Sequence, residues 1–144
     1  MEAGNPPASG FSGLCRPRVS RSLFLPISIS AAGLFYAHAV DLVGTWQLVG
    51  WSARADAVGR LIYSADGFMS AFLAGPDGSS DALAYSGTWE LRGGEEVVHH
   101  VSLATRESFV GKDLVRAVSW LDGDLVLTTP PTRDGVVNVL RWRR

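Results

Sequence analysis

From residue 40 to residue 144, apolar and polar side chains alternate with a period of two, which is typical of half-buried β-strands rather than of helices. Turn signals interrupt the alternation, and several contain Asp-Gly pairs, which suit tight hairpins because glycine adopts a positive φ at little cost. The segments between the turns predict eight strands, at 43–53, 58–64, 67–74, 83–91, 95–104, 113–121, 124–129 and 136–143.

Eight short antiparallel strands in one domain leave two architectures, a sandwich or a closed barrel. A closed barrel has no unpaired edge strand, and such edges invite aggregation. An eight-stranded barrel is either filled by its own side chains or holds one small ligand. We therefore expect residues 40–144 to form an all-β domain, an eight-stranded antiparallel up-and-down barrel.

Residues 1–39 differ from the rest of the chain. The basic stretch RPRVSRS precedes the mostly apolar LFLPISISAAGLFYA, and Ala37 and Ala39 stand in an A-x-A arrangement. This order is typical of a secretory signal peptide, and the apolar run is too short, and broken by Pro26, for a stable membrane span. A non-native or mis-assigned upstream extension and an organelle transit peptide are the alternatives. We expect a disordered or loosely helical leader, and a secreted or periplasmic protein if it is a cleaved signal peptide, but a cytoplasmic protein otherwise.

Composition argues against several other classes of protein. The chain is 47% hydrophobic with a formal net charge of −1, so a packed core is available and nothing basic enough for nucleic acid is present. The one cysteine, Cys15, lies within 1–39, which leaves no disulfide and no C-x-x-C zinc site for the barrel. His99 and His100 are adjacent, so they point to opposite sides of a strand. We expect no metal and no cofactor, and the sequence does not indicate an oligomeric state.

The tripeptide Gly-Thr-Trp occurs twice, in VGTWQLVGW at 43–51 and in YSGTWEL at 85–91. The first copy resembles the G-x-W opening of lipocalins. Further segments, in their order and spacing, resemble the bacterial and fungal lipocalin-like domain family of calycin-type barrels. They are GRLIYSADGFMSAFL (59–73), YSGTWEL (85–91), VVHHV (97–101), FVGKDLVRAVSWLDGDLVLTTPP (109–131) and LRWRR (140–144).

This resemblance implies a barrel that binds a hydrophobic ligand, and only weakly a reaction. Members of the family usually carry a longer, partly helical insertion where this chain has AGPDGSSDALA at 74–84, so we expect a more open mouth. The resemblance also implies that Trp46 plugs the closed end of the barrel, beneath a late arginine. Arg143 is the expected arginine and Arg141 the alternative, in a structural cation–π contact.

Alternation predicts that His99 points into the barrel and His100 toward solvent, because His99 is on the more apolar face of its strand. That face also carries Val97, Val101 and Leu103. In the next strand, Arg116 is predicted to point inward, with Leu114, Val118 and Trp120.

A buried arginine stays charged and needs an acceptor. The predicted acceptors for Arg116 are Tyr85, Glu90, Ser70, or a carboxylate or enolate of a ligand. Two interpretations stay open: an anion or carbonyl clamp with His99 as proton donor or acceptor, or a structural polar pair that fixes strand register.

One set of large side chains is expected either to fill the core or to line an apolar cavity. The set consists of Trp46, Trp51, Trp89, Trp120, Trp142, Phe68, Phe72, Tyr63, Tyr85 and Met69. The residues predicted to bind a ligand are Tyr63, Met69, Phe72, Tyr85, Trp89, His99, Arg116 and Val118. Binding of a small hydrophobic molecule inside the barrel is therefore the predicted function. One alternative is a small enzyme, a cyclase, isomerase or hydratase, that uses His99 and Arg116 on an apolar or polyketide-like substrate. The other is a structural or interaction module with a filled barrel.

Overall fold

The structure is a computed structural model that describes residues 41–144, and these residues form a closed barrel of eight antiparallel strands. Each strand pairs with the next along the chain, and the last pairs with the first. The strands are β1 (Gly44–Trp51), β2 (Val58–Tyr63), β3 (Phe68–Ala74), β4 (Leu83–Arg92), β5 (Glu96–Ala104), β6 (Asp113–Leu121), β7 (Asp124–Thr128) and β8 (Val139–Arg143). A single 3-10 turn, Glu107–Phe109, joins β5 to β6.

The predicted fold class is confirmed, and so are all eight strands. The largest difference in bounds is at the start of β8, which was predicted at 136 and begins at Val139. The 3-10 turn was not predicted, because three residues are too few to show a helical period. The predicted leader at 1–39 lies outside the described residues. No helix within 41–144 is long and apolar enough to cross a bilayer.

The up-and-down order gives the barrel two different ends. The loops at 52–57, 75–82, 105–112 and 129–138 lie together at one end, which we call the open end. The start of β1, the end of β8 and the three short turns lie at the other, the closed end. Buried side chains fill the closed half, and the largest of them include Trp46, Leu61, Tyr63 and Leu125.

Trp46 occupies the closed end, where its side chain is 1% exposed. Its Nε1 donates a hydrogen bond to the carbonyl of Leu42 at 2.9 Å. The guanidinium of Arg144 lies 4.5 Å from the centroid of its ring system, and Arg144 also donates to the carbonyls of Val43, at 3.0 Å, and of Asp41. The indole is therefore covered by a cation, as expected, but by a different residue.

The prediction that Arg143 covers Trp46 is wrong by one position. Leu140 and Trp142 are buried and face the interior, so Arg144 continues the inner face of β8 while Arg141 and Arg143 alternate to the outer face. There, both outer arginines bond the buried carboxylate of Asp124, at 2.5 Å from Arg141 and 2.8 Å from Arg143.

A β-bulge shifts the register between β4 and β5. Ser86 pairs with Leu103 but Gly87 pairs with Val101, which leaves Ser102 without a partner in the ladder. A Cβ on Gly87 would lie 1.9 Å from the carbonyl oxygen of His100, so this position requires glycine.

The bulge corrects one predicted side-chain orientation. Leu103, expected inside with His99, lies on the outer face and is 69% exposed. Ala104 takes the inner position instead, opposite Tyr85, because one extra residue reverses the alternation beyond it.

A second irregularity lies in β1, where Leu48 pairs with Trp142 and Gly50 pairs with Arg141. Val49 is the extra residue and is exposed. Trp51 therefore returns to the inner face, opposite Leu140, at the open end.

Candidate ligand-binding cavity

A cavity of about 590 Å³ occupies the open half of the barrel. Its walls come from the inner faces of the strands, and its rim comes from the four loops of the open end. The apolar walls include Trp51, Leu61, Leu73, Leu127, Leu140 and Trp142. The barrel is therefore hollow above a filled closed half.

Charged side chains surround the rim of the cavity. Nη1 of Arg54, in the loop 52–57, lies 3.1 Å from a carboxylate oxygen of Asp81, in the loop 75–82, so an ion pair joins two loops. Arg106, on the loop between β5 and β6, stacks on Phe109 with its guanidinium carbon 5.2 Å from the ring centroid. Both arginines line the cavity, as does Asp81.

His99 and two tyrosines form a buried chain of hydrogen bonds at the inner end of the cavity. The Tyr63 hydroxyl lies 2.6 Å from Nε2 of His99, and the Tyr85 hydroxyl lies 3.2 Å from Nδ1. The His99 side chain is 0% exposed. The prediction that His99 points inward is confirmed, and so is the prediction that His100 lies nearer to solvent, where it bonds Asp113.

Burial keeps this chain of groups uncharged. It lowers the pKa of His99 to about 3, and the positive charges of Arg116 and His100 act in the same direction. Burial also raises the pKa of both tyrosines, and the charge of Arg116 opposes that rise. At neutral pH a neutral imidazole therefore lies between two protonated hydroxyls.

A neutral imidazole has one donor and one acceptor nitrogen, so the chain of hydrogen bonds has a direction. In one arrangement Tyr63 donates to Nε2, and Nδ1 donates to Tyr85. In the other, Tyr85 donates to Nδ1, and Nε2 donates to Tyr63. The first arrangement leaves the proton of the Tyr85 hydroxyl free for a molecule in the cavity.

Arg116 lies next to this chain. β5 pairs with β6, and Arg116 stands opposite Val97, one inner position away from His99. The side chain is partly buried, borders the cavity, and donates from Nη1 to the carbonyl of Val115 at 2.8 Å. Among residues 41–144, no carboxylate lies within 4.0 Å of its guanidinium.

Of the side chains predicted to accept a hydrogen bond from Arg116, one lies beside it and two lie on the outer face of the barrel. Tyr85 is close enough that the guanidinium affects the pKa of its hydroxyl. Glu90 lies on the outer face and pairs with Arg92 at 2.5 Å. Ser70 is exposed on the outer face of β3. Glu90 and Ser70 were therefore wrong choices, because alternation directs both side chains away from the interior.

The structure brings together three of the eight residues predicted to bind a ligand. Tyr85, His99 and Arg116 line the cavity. Tyr63 and Met69 are buried in the core of the barrel. Trp89 packs on Tyr63, with ring centroids 4.9 Å apart, and donates from Nε1 to the carbonyl of Ser64 at 3.1 Å. Val118 packs against the same core.

Phe72 does not line the cavity. It is 39% exposed on the outer face of β3, because Met69, Ala71 and Leu73 take the inner positions and Phe72 alternates with them. The prediction that Phe72 binds a ligand together with Met69 is wrong, because the two residues are three positions apart and therefore lie on opposite faces of β3.

Several cavity residues were not predicted. Arg54, Arg106 and Phe109 come from loops, where a strand period gives no information. Trp51, in contrast, was in the set expected to fill the core or line a cavity. It faces the cavity because of the bulge at Val49, and its Nε1 donates to Oδ1 of Asn138 at 3.1 Å.

The arrangement limits the chemistry available to a bound molecule. Both nitrogens of His99 are bonded to tyrosines, so they are not free for such a molecule. Polar groups that can meet it include the Tyr85 hydroxyl, the Arg116 guanidinium and Nε1 of Trp142, a buried donor without a partner. Within 41–144, no three histidine, cysteine, aspartate or glutamate side chains cluster in a way that could hold a metal ion.

The comparisons with known proteins assign no family. The chain matches no protein-family model and no curated protein. The lipocalin-like family therefore stays a hypothesis from the sequence.

Proposed function

We propose that the protein binds a small hydrophobic molecule non-covalently inside its barrel. The observation that carries this proposal is the cavity of about 590 Å³ with walls of leucine and tryptophan side chains. Pockets for drug-sized molecules are typically about 300–1,000 Å³, mostly apolar, with a few polar groups that fix orientation.

We also propose that the chain belongs to the lipocalin-like domain family. Support comes from the closed end, where the tryptophan of the Gly-Thr-Trp opening lies under a late arginine. An alignment of the chain with members of that family tests this membership. We expect a tryptophan and an arginine in those members at the positions of Trp46 and Arg144.

The cavity argues against a filled structural barrel, and the state of His99 argues against the enzyme alternative. A general base works best with a pKa near the operating pH, whereas burial lowers the pKa of His99 to about 3. In addition, no nitrogen of this ring is free for a substrate. We therefore favour binding over catalysis.

Native mass spectrometry of the whole chain, purified gently from the cells that express it, tests the proposal. We expect a bound apolar molecule of constant mass that is released on unfolding. A ligand-free mass, together with no thermal shift from a panel of fatty acids and polyketides, would contradict it.

A further inference from the structure

The Arg116 guanidinium puts a positive charge at the inner end of the cavity, with no negative charge beside it among the described residues. Arg116 has no carboxylate within 4.0 Å among the described residues. Its Nη1 donates to the neighbouring carbonyl of Val115, and its guanidinium is also within hydrogen-bonding reach of the Tyr85 hydroxyl. A guanidinium has five N–H donors and stays charged when buried, so most of its donors are available for another acceptor.

The hydroxyl of Tyr85 adds a second donor at the same place. The Tyr85 ring is almost fully buried and is close to Arg116. Its bond to Nδ1 of His99 fixes the position of the hydroxyl, and when that nitrogen donates, the hydroxyl proton points away from His99. An acceptor in the cavity selects this direction of the hydrogen-bond chain, with Tyr63 donating to Nε2 at the far end.

Positive charge also exceeds negative charge around the cavity as a whole. Its lining contains Arg54, Arg106 and Arg116 but one carboxylate, Asp81. Asp81 is already paired with Arg54 at 3.1 Å. A cavity lined by one sign of charge raises the local concentration of ions of the other sign, so the rim favours the entry of an anion.

We propose that the ligand of this cavity is an apolar carboxylic acid, bound with its carboxylate at the inner end between the Arg116 guanidinium and the Tyr85 hydroxyl. This inference rests on the proposed function and specifies its ligand class. The apolar part of the ligand then lies against Leu73, Leu140 and Trp51, and extends toward the open end. His99 and Tyr63 are positioning residues, which act on the ligand through the Tyr85 hydroxyl.

Two matched pairs of probes test the carboxylate. Dodecanoate and dodecanol share an aliphatic chain, while 2-naphthoate and 2-naphthylmethanol share an aromatic ring system. Affinities are measured at pH 7.5 by quenching of tryptophan fluorescence, since Trp51 and Trp142 line the cavity, and by calorimetry. We expect the carboxylate of at least one pair to bind about tenfold to hundredfold more tightly than its alcohol, as for a hydrogen bond to a charged group. The pair with the larger difference in affinity between its carboxylate and its alcohol shows whether the ligand is an aliphatic or an aromatic acid.

Variants locate the preference on Arg116. We expect Arg116→Gln to abolish the preference for the carboxylate while the affinity for the alcohol changes less than threefold. Arg116→Lys keeps the charge and should retain part of the preference. Tyr85→Phe should lower the carboxylate affinity about threefold to tenfold. Arg60→Gln is the matched control, because Arg60 lies on the outer face of β2, and it should leave all affinities unchanged.

The outcomes separate this inference from the proposed function. Alcohols that bind as tightly as their carboxylates would overturn the inference and leave apolar binding intact. A preference that survives Arg116→Gln would overturn the assignment to Arg116. A complete lack of binding by all four probes would contradict the proposed function itself. If circular dichroism shows that Arg116→Gln does not fold, Arg116→Lys and Tyr85→Phe still decide the assignment. We expect the preference for the carboxylate to be smaller in both variants than in the wild type, and an unchanged preference in both would overturn the assignment.

Discussion

The hydroxyl of Tyr63 lies 2.6 Å from Nε2 of His99, in the interior of the barrel and out of contact with solvent. This bond joins β2 to β5, which are not neighbours in the barrel. It connects the packed closed half of the molecule to the cavity above it, because His99 borders the cavity and Tyr63 belongs to the core.

Removal of this hydroxyl tests its contribution to the fold. Tyr63→Phe leaves a buried nitrogen of His99 without a partner, which costs about 1–3 kcal/mol. We expect the free energy of unfolding in urea to fall by that amount. Tyr85→Phe breaks the longer bond to Nδ1, at 3.2 Å beside the cavity, and should cost less. Equal stability of Tyr63→Phe and the wild type would contradict the assignment of a stabilising bond.

The buried state of His99 predicts how stability depends on pH. The folded protein holds His99 neutral down to a pKa of about 3, whereas the unfolded chain protonates it near 6.5. Since the unfolded state binds more protons in this interval, the free energy of unfolding falls as the pH falls, by up to about 1.4 kcal/mol per unit.

This effect can be separated from acid destabilisation by carboxylates. The lowered pKa values of Asp77, Glu90 and Asp124 add their own loss of stability mainly below about pH 5.5, where the unfolded carboxyl groups begin to bind protons. Urea unfolding of the wild type and of His99→Gln is therefore compared at pH 7.5, 6.5 and 5.5. We expect His99→Gln to be less stable at pH 7.5 but to show a smaller slope, and an unchanged slope would show that another group is responsible.

The bulge at Gly87 predicts a strong effect of a very small substitution. In Gly87→Ala, the new Cβ would lie 1.9 Å from the carbonyl oxygen of His100, so β4 and β5 must separate. We expect a loss of more than about 3 kcal/mol, or failure to fold. Gly50→Ala is the matched control in β1, since the nearest atom to its Cβ is 3.9 Å away. If both variants unfold at the same urea concentration, the close approach at Gly87 is not real.

The contact between Arg144 and Trp46 predicts a loss of stability when the charge is removed. Arg144→Met keeps an unbranched apolar stem but removes the charge from the face of the indole, and we expect it to lower the free energy of unfolding by about 1 kcal/mol. In a Trp46→Leu background the same substitution should cost less, because the aromatic face is gone. The double-mutant cycle measures the difference. An interaction energy of zero would contradict the contact.

The period-two pattern was sufficient to predict the strands and the barrel, because every strand has one face in the interior. It was also sufficient to place His99 and Arg116 inside, since no bulge lies between them and the middle of their strands. It failed at Leu103, where one unpaired residue reverses the alternation, and at Phe72, whose position in its own strand was overlooked.

The candidate site was only partly predictable. The polar groups on strands, Tyr85, His99 and Arg116, follow from alternation. Arg54, Arg106 and Phe109 are on loops, where the position of a side chain depends on turn geometry and on contacts between distant segments. The exchange of Arg143 for Arg144 shows how a structural role can be predicted correctly while the residue is misplaced by one position.

A side chain that fills the cavity would show whether the barrel interior holds a small apolar molecule. Ala71 is on the inner face of β3 and lines the cavity, whereas its neighbour Ser70 points to the outer face. Titration with Nile red, an uncharged apolar fluorophore, should show saturable binding of one molecule to the wild type and to Ser70→Trp. We expect Ala71→Trp, if folded by circular dichroism, to bind at least about tenfold more weakly. Equal binding by both tryptophan variants, or none by the wild type, would contradict binding of an apolar molecule inside the barrel.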